Sequence, residues 1–174
     1  MIVLGVDPGS QRTGYGAVET DGRRHRLVET GVLAPGSRLC LADRLRHIHA
    51  GITELIARLR PDALAVEDVF HAANTRTALV LGHVRGVVLL AGAQAGLPVH
   101  EYPPATVKQQ VTGYGRADKS QVAFMVSRML AFSPAAPPGD AADALAVALC
   151  FACVDASRAG LLHATAARSG MVRT

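Results

Sequence analysis

Apolar and polar positions along this chain change period several times, and each change marks an element. Ile2-Val3-Leu4-Gly5-Val6 is a short continuous apolar run closed by Asp7, the pattern of a strand buried on both faces. Gly14 to Glu19 and His25 to Leu33 flank Thr20-Asp21-Gly22, so two more strands are predicted around an Asp-Gly hairpin turn. The period then becomes helical: Leu41, Leu45, Ile48, Ile52, Leu55, Ile56 and Leu59 predict a helix from about Ala42 to Leu59, stopped by Pro61. Residues 62–67 form a second buried strand ending at Glu67. A polar segment from Asp68 to Thr75 leads into a helix to about Gln94. That helix is apolar nearly all round, so it is expected to be covered on both sides. Gly82 and Gly86 would let another helix approach it closely, either at a dimer seam or within the fold. Val99 to Tyr102 is a further short strand, and Pro103-Pro104 opens a helix near Ala105 that ends at Gly113. Asp118 caps a helix to Ala131. Pro134, Pro137 and Pro138 break the chain before Asp140 begins a last core helix to about Asp155.

The order β-β-β-α-β-α-β-α-α predicts an α/β fold, with a three-strand antiparallel meander extended by parallel strands and flanked by helices. A chain of 174 residues fits one domain, assigned to residues 1–157, with residues 158–174 expected as a loose tail. The apolar stretch around residues 78 to 99 carries His83, Arg85 and several glycines, which makes it a poor membrane span. Met1 leads straight into a strand pattern, so no signal peptide is expected and a cytoplasmic location is. Three cysteines fit a reducing compartment, and Cys150 with Cys153 reads as helix packing.

The strands end on acid. Strands finishing at Asp7 and Glu67 are predicted to lie side by side and parallel, which brings their carboxylates to one edge of the sheet. Asp140 and Asp143, three apart at a helix start, share a face. Two such charges about 4 Å apart repel by roughly 4 kcal/mol at an effective dielectric near 20. Divalent cations reverse the sign of that term, and four oxygen ligands suit two hard ions, Mg²⁺ or Mn²⁺, rather than zinc. Charge is uneven as well. Residues 1–69 carry nine basic and nine acidic side chains and residues 140–174 three of each, so the excess of +4 lies between 70 and 139. There Arg76, Arg85, Lys108, Arg116, Lys119 and Arg128 face only Glu101 and Asp118. A basic middle beside an acidic cluster suggests an anionic polymer held over a metal site. The turn Asp7-Pro8-Gly9-Ser10-Gln11-Arg12-Thr13-Gly14 also resembles the phosphate loop of actin-type ATPases, but those need two such domains.

Five blocks make the pattern specific: DPGSQRTGYG at 7–16, VEDVF at 66–70, LGHVRG at 81–86, VKQQVTGYGRADKSQV at 107–122 and DAADALAVA at 140–148. In order and spacing the chain resembles the RuvC-type Holliday-junction resolvases, which have an RNase H-like fold with a mixed five-stranded sheet. The resemblance implies catalytic and metal-binding roles for Asp7, Glu67, Asp140 and Asp143. It maps basic residues of the family onto Lys108 and Lys119, and the aromatic at the junction centre onto Phe70. His71, Asn74, Arg76, Tyr114 and Arg116 are further candidate DNA contacts. The implied protein is a homodimer that cuts a four-way junction by two symmetric metal-dependent nicks and works with a branch-migration motor. The alternatives are an RNase H-fold nuclease acting on RNA or duplex, and a junction-binding protein without catalysis.

Overall fold

The computed structural model describes residues 1–68, 74–131 and 139–169. Strands β1 (Ile2–Asp7), β2 (Thr13–Thr20), β3 (His25–Leu33), β4 (Ala63–Glu67) and β5 (Val99–Tyr102) form one sheet in the order β3-β2-β1-β4-β5. The pairs β1–β2 and β2–β3 are antiparallel, while β1–β4 and β4–β5 are parallel, the mixed sheet expected of an RNase H-like chain. Helices α1 (Leu41–Leu59), α2 (Thr75–Gln94), α3 (Pro104–Thr112), α4 (Lys119–Met129) and α5 (Gly139–Ser169) complete the described elements.

Strand alternation sorts the sheet into two faces. Leu4, Val6, Leu64 and Val66 pack with Ile48, Ile52, Val84 and Val88 of α1 and α2. Val3, Val18, Ala63 and Ala65 pack with α3, α4 and α5 on the other side. α1 ends where Arg60 turns into the left-handed region at φ 46°, its N–H donating to the Ile56 carbonyl, and Pro61 follows. α4 starts with a capping box: Asp118 accepts from the Gln121 N–H, and the Gln121 side chain accepts from the Asp118 N–H.

The face toward α5 is almost bare. Gly5 pairs with Gly16 across β1 and β2, and Asp7 pairs with Gly14, so three glycines form a channel in which α5 lies. A methyl group placed on Gly5 would sit 2.7 Å from the Ala148 nitrogen and 2.9 Å from its Cβ. One on Gly14 would strike the Asp140 carbonyl, and one on Gly16 the Leu145 side chain. Backbone meets backbone here, which only glycine permits. Ala144 through Phe151 are all buried, so this part of α5 is enclosed on every side.

Two expectations change. α2 is covered on one side only: Val84, Val88, Ala91 and Gly92 are buried, whereas Leu79 is 61% exposed and Leu90 49%. Among the described residues nothing approaches Gly82 or Gly86. An apolar composition all round says nothing about whether the cover comes from the same chain. By length and composition α2 could cross a membrane, yet its Arg85 is paired with Asp68 and Glu101 and its inner side closes the core. α5 is also longer than expected, continuing past Ser157 to Ser169, where Ala and Leu keep helix propensity high after the apolar period has faded.

Gly5→Ala is expected to lower unfolding free energy by about 2–3 kcal/mol, the cost of overpacking where neither backbone can retreat. Denaturant unfolding measures it, and a loss under about half a kcal/mol would mean that α5 does not lie in the glycine channel.

Candidate active site

The same alternation that buries Val3 and Ala65 toward α5 turns Asp7 and Glu67 to that face at the ends of β1 and β4. Parallel pairing of Val6 with Val66 puts the two acids side by side. α5, lying in the glycine channel, begins with Asp140 and Asp143 beside them. A cavity of about 320 Å³ opens at this edge, lined by Asp7, Glu67, Asp143, Lys108, Lys119 and Pro104. Asp140 stands outside that lining.

The electrostatics are those of a crowded acid cluster. Burial pushes the Glu67 carboxyl up to about 8, reinforced by the charge of Asp7 and the hydrogen bond between them. Burial also raises Asp7, to about 6, with Asp143 and Asp140 adding repulsion. Both carboxyls are therefore raised, and the pair shares a proton between them. Cations hold the other two acids. Lys119 Nζ lies 2.9 Å from Asp143 Oδ2, and that bond raises the lysine above its ordinary value. Arg12 Nε lies 2.6 Å from Asp140 Oδ2. Among the described residues no three acids, histidines or cysteines yet stand in one coordination sphere. A proton, a lysine and an arginine here neutralise the groups a metal would bind.

The acidic side chains that line the cavity, Asp7, Glu67 and Asp143, offer carboxylate oxygens, which fit a hard divalent ion better than zinc. Cys150 is no competitor: burial pushes its thiol up to about 12.

The other expected residues fall in several places. Lys108 and Lys119 line the cavity. Asn74 caps α2, its side-chain oxygen accepting from the Thr77 N–H at 2.9 Å, and Arg76 is exposed on the next turn. Tyr114 is 58% exposed and lines a separate groove of about 440 Å³ with Thr112, Ser120, Gln121 and Phe124, on the far side of the first turn of α4. Arg116 is exposed between them. Phe70 and His71 lie outside the described residues. The turn after Asp7 closes on itself rather than opening a phosphate cradle: buried Thr13 donates its hydroxyl to the Gly9 carbonyl at 2.7 Å and accepts the Gly9 N–H at 3.3 Å. Sequence reasoning missed Arg12, because a pair separated by 128 positions leaves no local trace.

Stability should depend on pH in a direction set by the buried pair. Between the ordinary carboxylate values near 4 and the raised ones near 6 and 8, the native protein binds more protons than the unfolded chain. Stability without divalent ions therefore falls as pH rises through that window. Melting in EDTA from about pH 5 to about pH 8.5 should show a declining midpoint, with Mg²⁺ removing most of the decline and Asp7→Asn flattening it. A flat EDTA profile in the unmodified protein would separate these carboxyls from the titration.

A family model described as crossover junction endodeoxyribonuclease RuvC matches residues 3–151. The curated enzyme of that name from Halorhodospira halophila is 54% identical over 150 residues, 86% of this chain and 89% of the relative. That from Vibrio campbellii is 46% identical over 173 residues, 99% of both chains. Among solved structures, Thermus thermophilus RuvC aligns with a TM-score of 0.83 at 38% identity, covering 92% of this chain and 97% of that one. The same protein in complex with a Holliday junction substrate gives the same score over 90% of this chain. The yeast mitochondrial resolvase Ydc2, 13% identical with a TM-score of 0.62, shares the fold. With the matched segment running from β1 through the carboxylate-bearing start of α5, this chain belongs to the RuvC family of crossover junction endodeoxyribonucleases.

Proposed function

We propose that this endonuclease, acting in the cytoplasm through residues 1–157, resolves four-way DNA junctions by paired symmetric nicks that leave 5′-phosphate and 3′-hydroxyl ends. The observation that carries the reading is the cavity in which Asp7, Glu67 and Asp143 face Lys108 and Lys119. Acid and base in one small space suit a phosphodiester held against a metal site. Two Mg²⁺ ions, replaceable by Mn²⁺ and held by Asp7, Glu67, Asp140 and Asp143, would supply activation of water and stabilise charge on the leaving 3′ oxygen.

The chain's own residues do the positioning. Lys108 offers a phosphate its charge from α3, and Lys119 offers another from the first turn of α4. The Lys119 side chain is 82% exposed, so its ammonium is free to swing from Asp143 to a phosphate. Asp7 and Glu67 must release their shared proton to become ligands, so metal loading is favoured at higher pH. Phe70 is the candidate to stack on an unpaired base, with Asn74, Arg76, Tyr114 and Arg116 along the flanking strands.

The partner copy is expected on α2. Its uncovered side presents Leu79, Gly82, His83 and Gly86, which leave room for a second helix at close range. A two-fold dimer suits a junction that needs two equivalent cuts. The branch-migration motor rests on the family resemblance alone.

Labelled four-way junction, linear duplex and RNA–DNA hybrid incubated with Mg²⁺ should show cleavage of the junction, with paired nicks when both strands are mapped. Asp7→Asn should slow cutting by about a thousandfold while junction binding persists. Full activity of that variant, or equal cutting of the linear duplex, would overturn the assignment. Leu79→Glu should shift the protein to monomer in sedimentation and uncouple the two nicks; an unchanged dimer would move the interface off α2.

A further inference from the structure

Arg12 occupies the turn that begins at Asp7, and two fixed backbones set its position against Asp140. On one side, Thr13 ties the turn through both Gly9 backbone groups. On the other, the Asp140 carbonyl lies over Gly14, so the start of α5 cannot slide. Between them Arg12 Nε donates to Asp140 Oδ2 at 2.6 Å. Only that edge of the guanidinium is used. An arginine commonly grips a carboxylate through two parallel bonds, yet here neither Nη takes a partner among the described residues, and the side chain is 57% exposed.

A divalent ion on Asp140 would weaken its bond to Arg12, because the guanidinium would then face a like charge across one carboxylate. The open Nη edge gives the displaced arginine somewhere to go: planar donors exposed to solvent near the cavity proposed above to hold a phosphodiester. We infer that Arg12 is the exchangeable counter-ion of Asp140, neutralising it until a divalent cation enters and then turning outward to bind a phosphate of the DNA strand over the site. The inference rests on the metal-binding role proposed above for Asp140. Arg12 is thus a phosphate-binding residue in the loaded protein and a competitor of the metal in the unloaded one. Lys119 stands to Asp143 in a similar relation, but its single ammonium lacks the second edge.

Calorimetric titration of Mn²⁺ into the metal-free full-length chain tests the first half. Arg12→Gln should bind Mn²⁺ about two- to fivefold more tightly, the worth of the exposed ion pair that the metal no longer has to break. Arg12→Lys, which keeps the charge, should stay near the unmodified protein. In an Asp140→Asn background Arg12→Gln should change nothing, since no carboxylate is left to compete for. Junction affinity against salt tests the second half. With Ca²⁺ present, Arg12→Gln should flatten the log–log slope by about one, the loss of one phosphate contact. In EDTA, where Arg12 is held by Asp140, the slopes should coincide. Equal Mn²⁺ affinities for Arg12→Gln and the unmodified chain, or equal slopes in Ca²⁺, would overturn the exchange. Failure of the unmodified chain to bind Mn²⁺ would instead remove the metal reading, and the inference with it.

Discussion

Contact between α5 and a glycine channel is the constraint on which the site depends. Asp140 and Asp143 are more than 130 residues from Asp7, and they meet it because Gly5, Gly14 and Gly16 let a helix backbone lie directly on the sheet. With side chains at those positions α5 would be lifted away from β1 and β2 by the thickness of a methyl group or more. A carboxylate moved by about 1 Å no longer shares a ligand sphere, given the narrow distances hard cations accept. The small residues therefore set where the proposed metal ligands stand. Ala63 and Ala65 extend the same low surface onto β4.

That close packing creates an electrostatic load that the fold must carry before any metal binds. Two of the four acids are buried enough to be pushed well above their ordinary values, and they share a proton. The other two are paired with Lys119 and Arg12. Removing one partner from a crowded acid site leaves an uncompensated charge, which is costlier than never having paired it. Each of these three neutralising elements is replaceable by a divalent cation. Loading is consequently an exchange of charges, and the net change in the cavity is smaller than the sum of four carboxylates suggests.

Much of the fold is legible in the sequence because strand alternation is strict. Once Val3 and Ala65 are assigned to one face, Asp7 and Glu67 follow by parity, and the DAAD start of α5 needs only to lie near. The Asp118 cap, the Pro61 stop and the Asp-Gly turn are local chemistry, readable over four residues. Gly5, Gly14 and Gly16 also carry a readable signal, since glycine inside a strand marks a close backbone approach. Arg12 is a different matter. Its partner lies far along the chain, and an arginine in a polar turn looks like any solvated residue. The uncovered side of α2 was likewise hidden, because an apolar helix reads the same whether its cover comes from within the chain or from another copy.

Placement of that side is consistent with the chemistry at the other end of the molecule. α2 packs on the sheet face opposite α5, so a partner docked along Leu79, Gly82 and Gly86 leaves the cavity edge untouched. Arg85, on the same helix, reaches inward to Asp68 and Glu101, and Asp68 directly follows Glu67. The helix that would carry the two-fold axis is thus tied by an ion pair to the strand end that carries Glu67. A dimer built there would hold two cavities at a fixed separation through short, rigid elements rather than loops. Fixed separation is what a substrate with two equivalent strands requires, because paired cuts depend on both sites being presented at once.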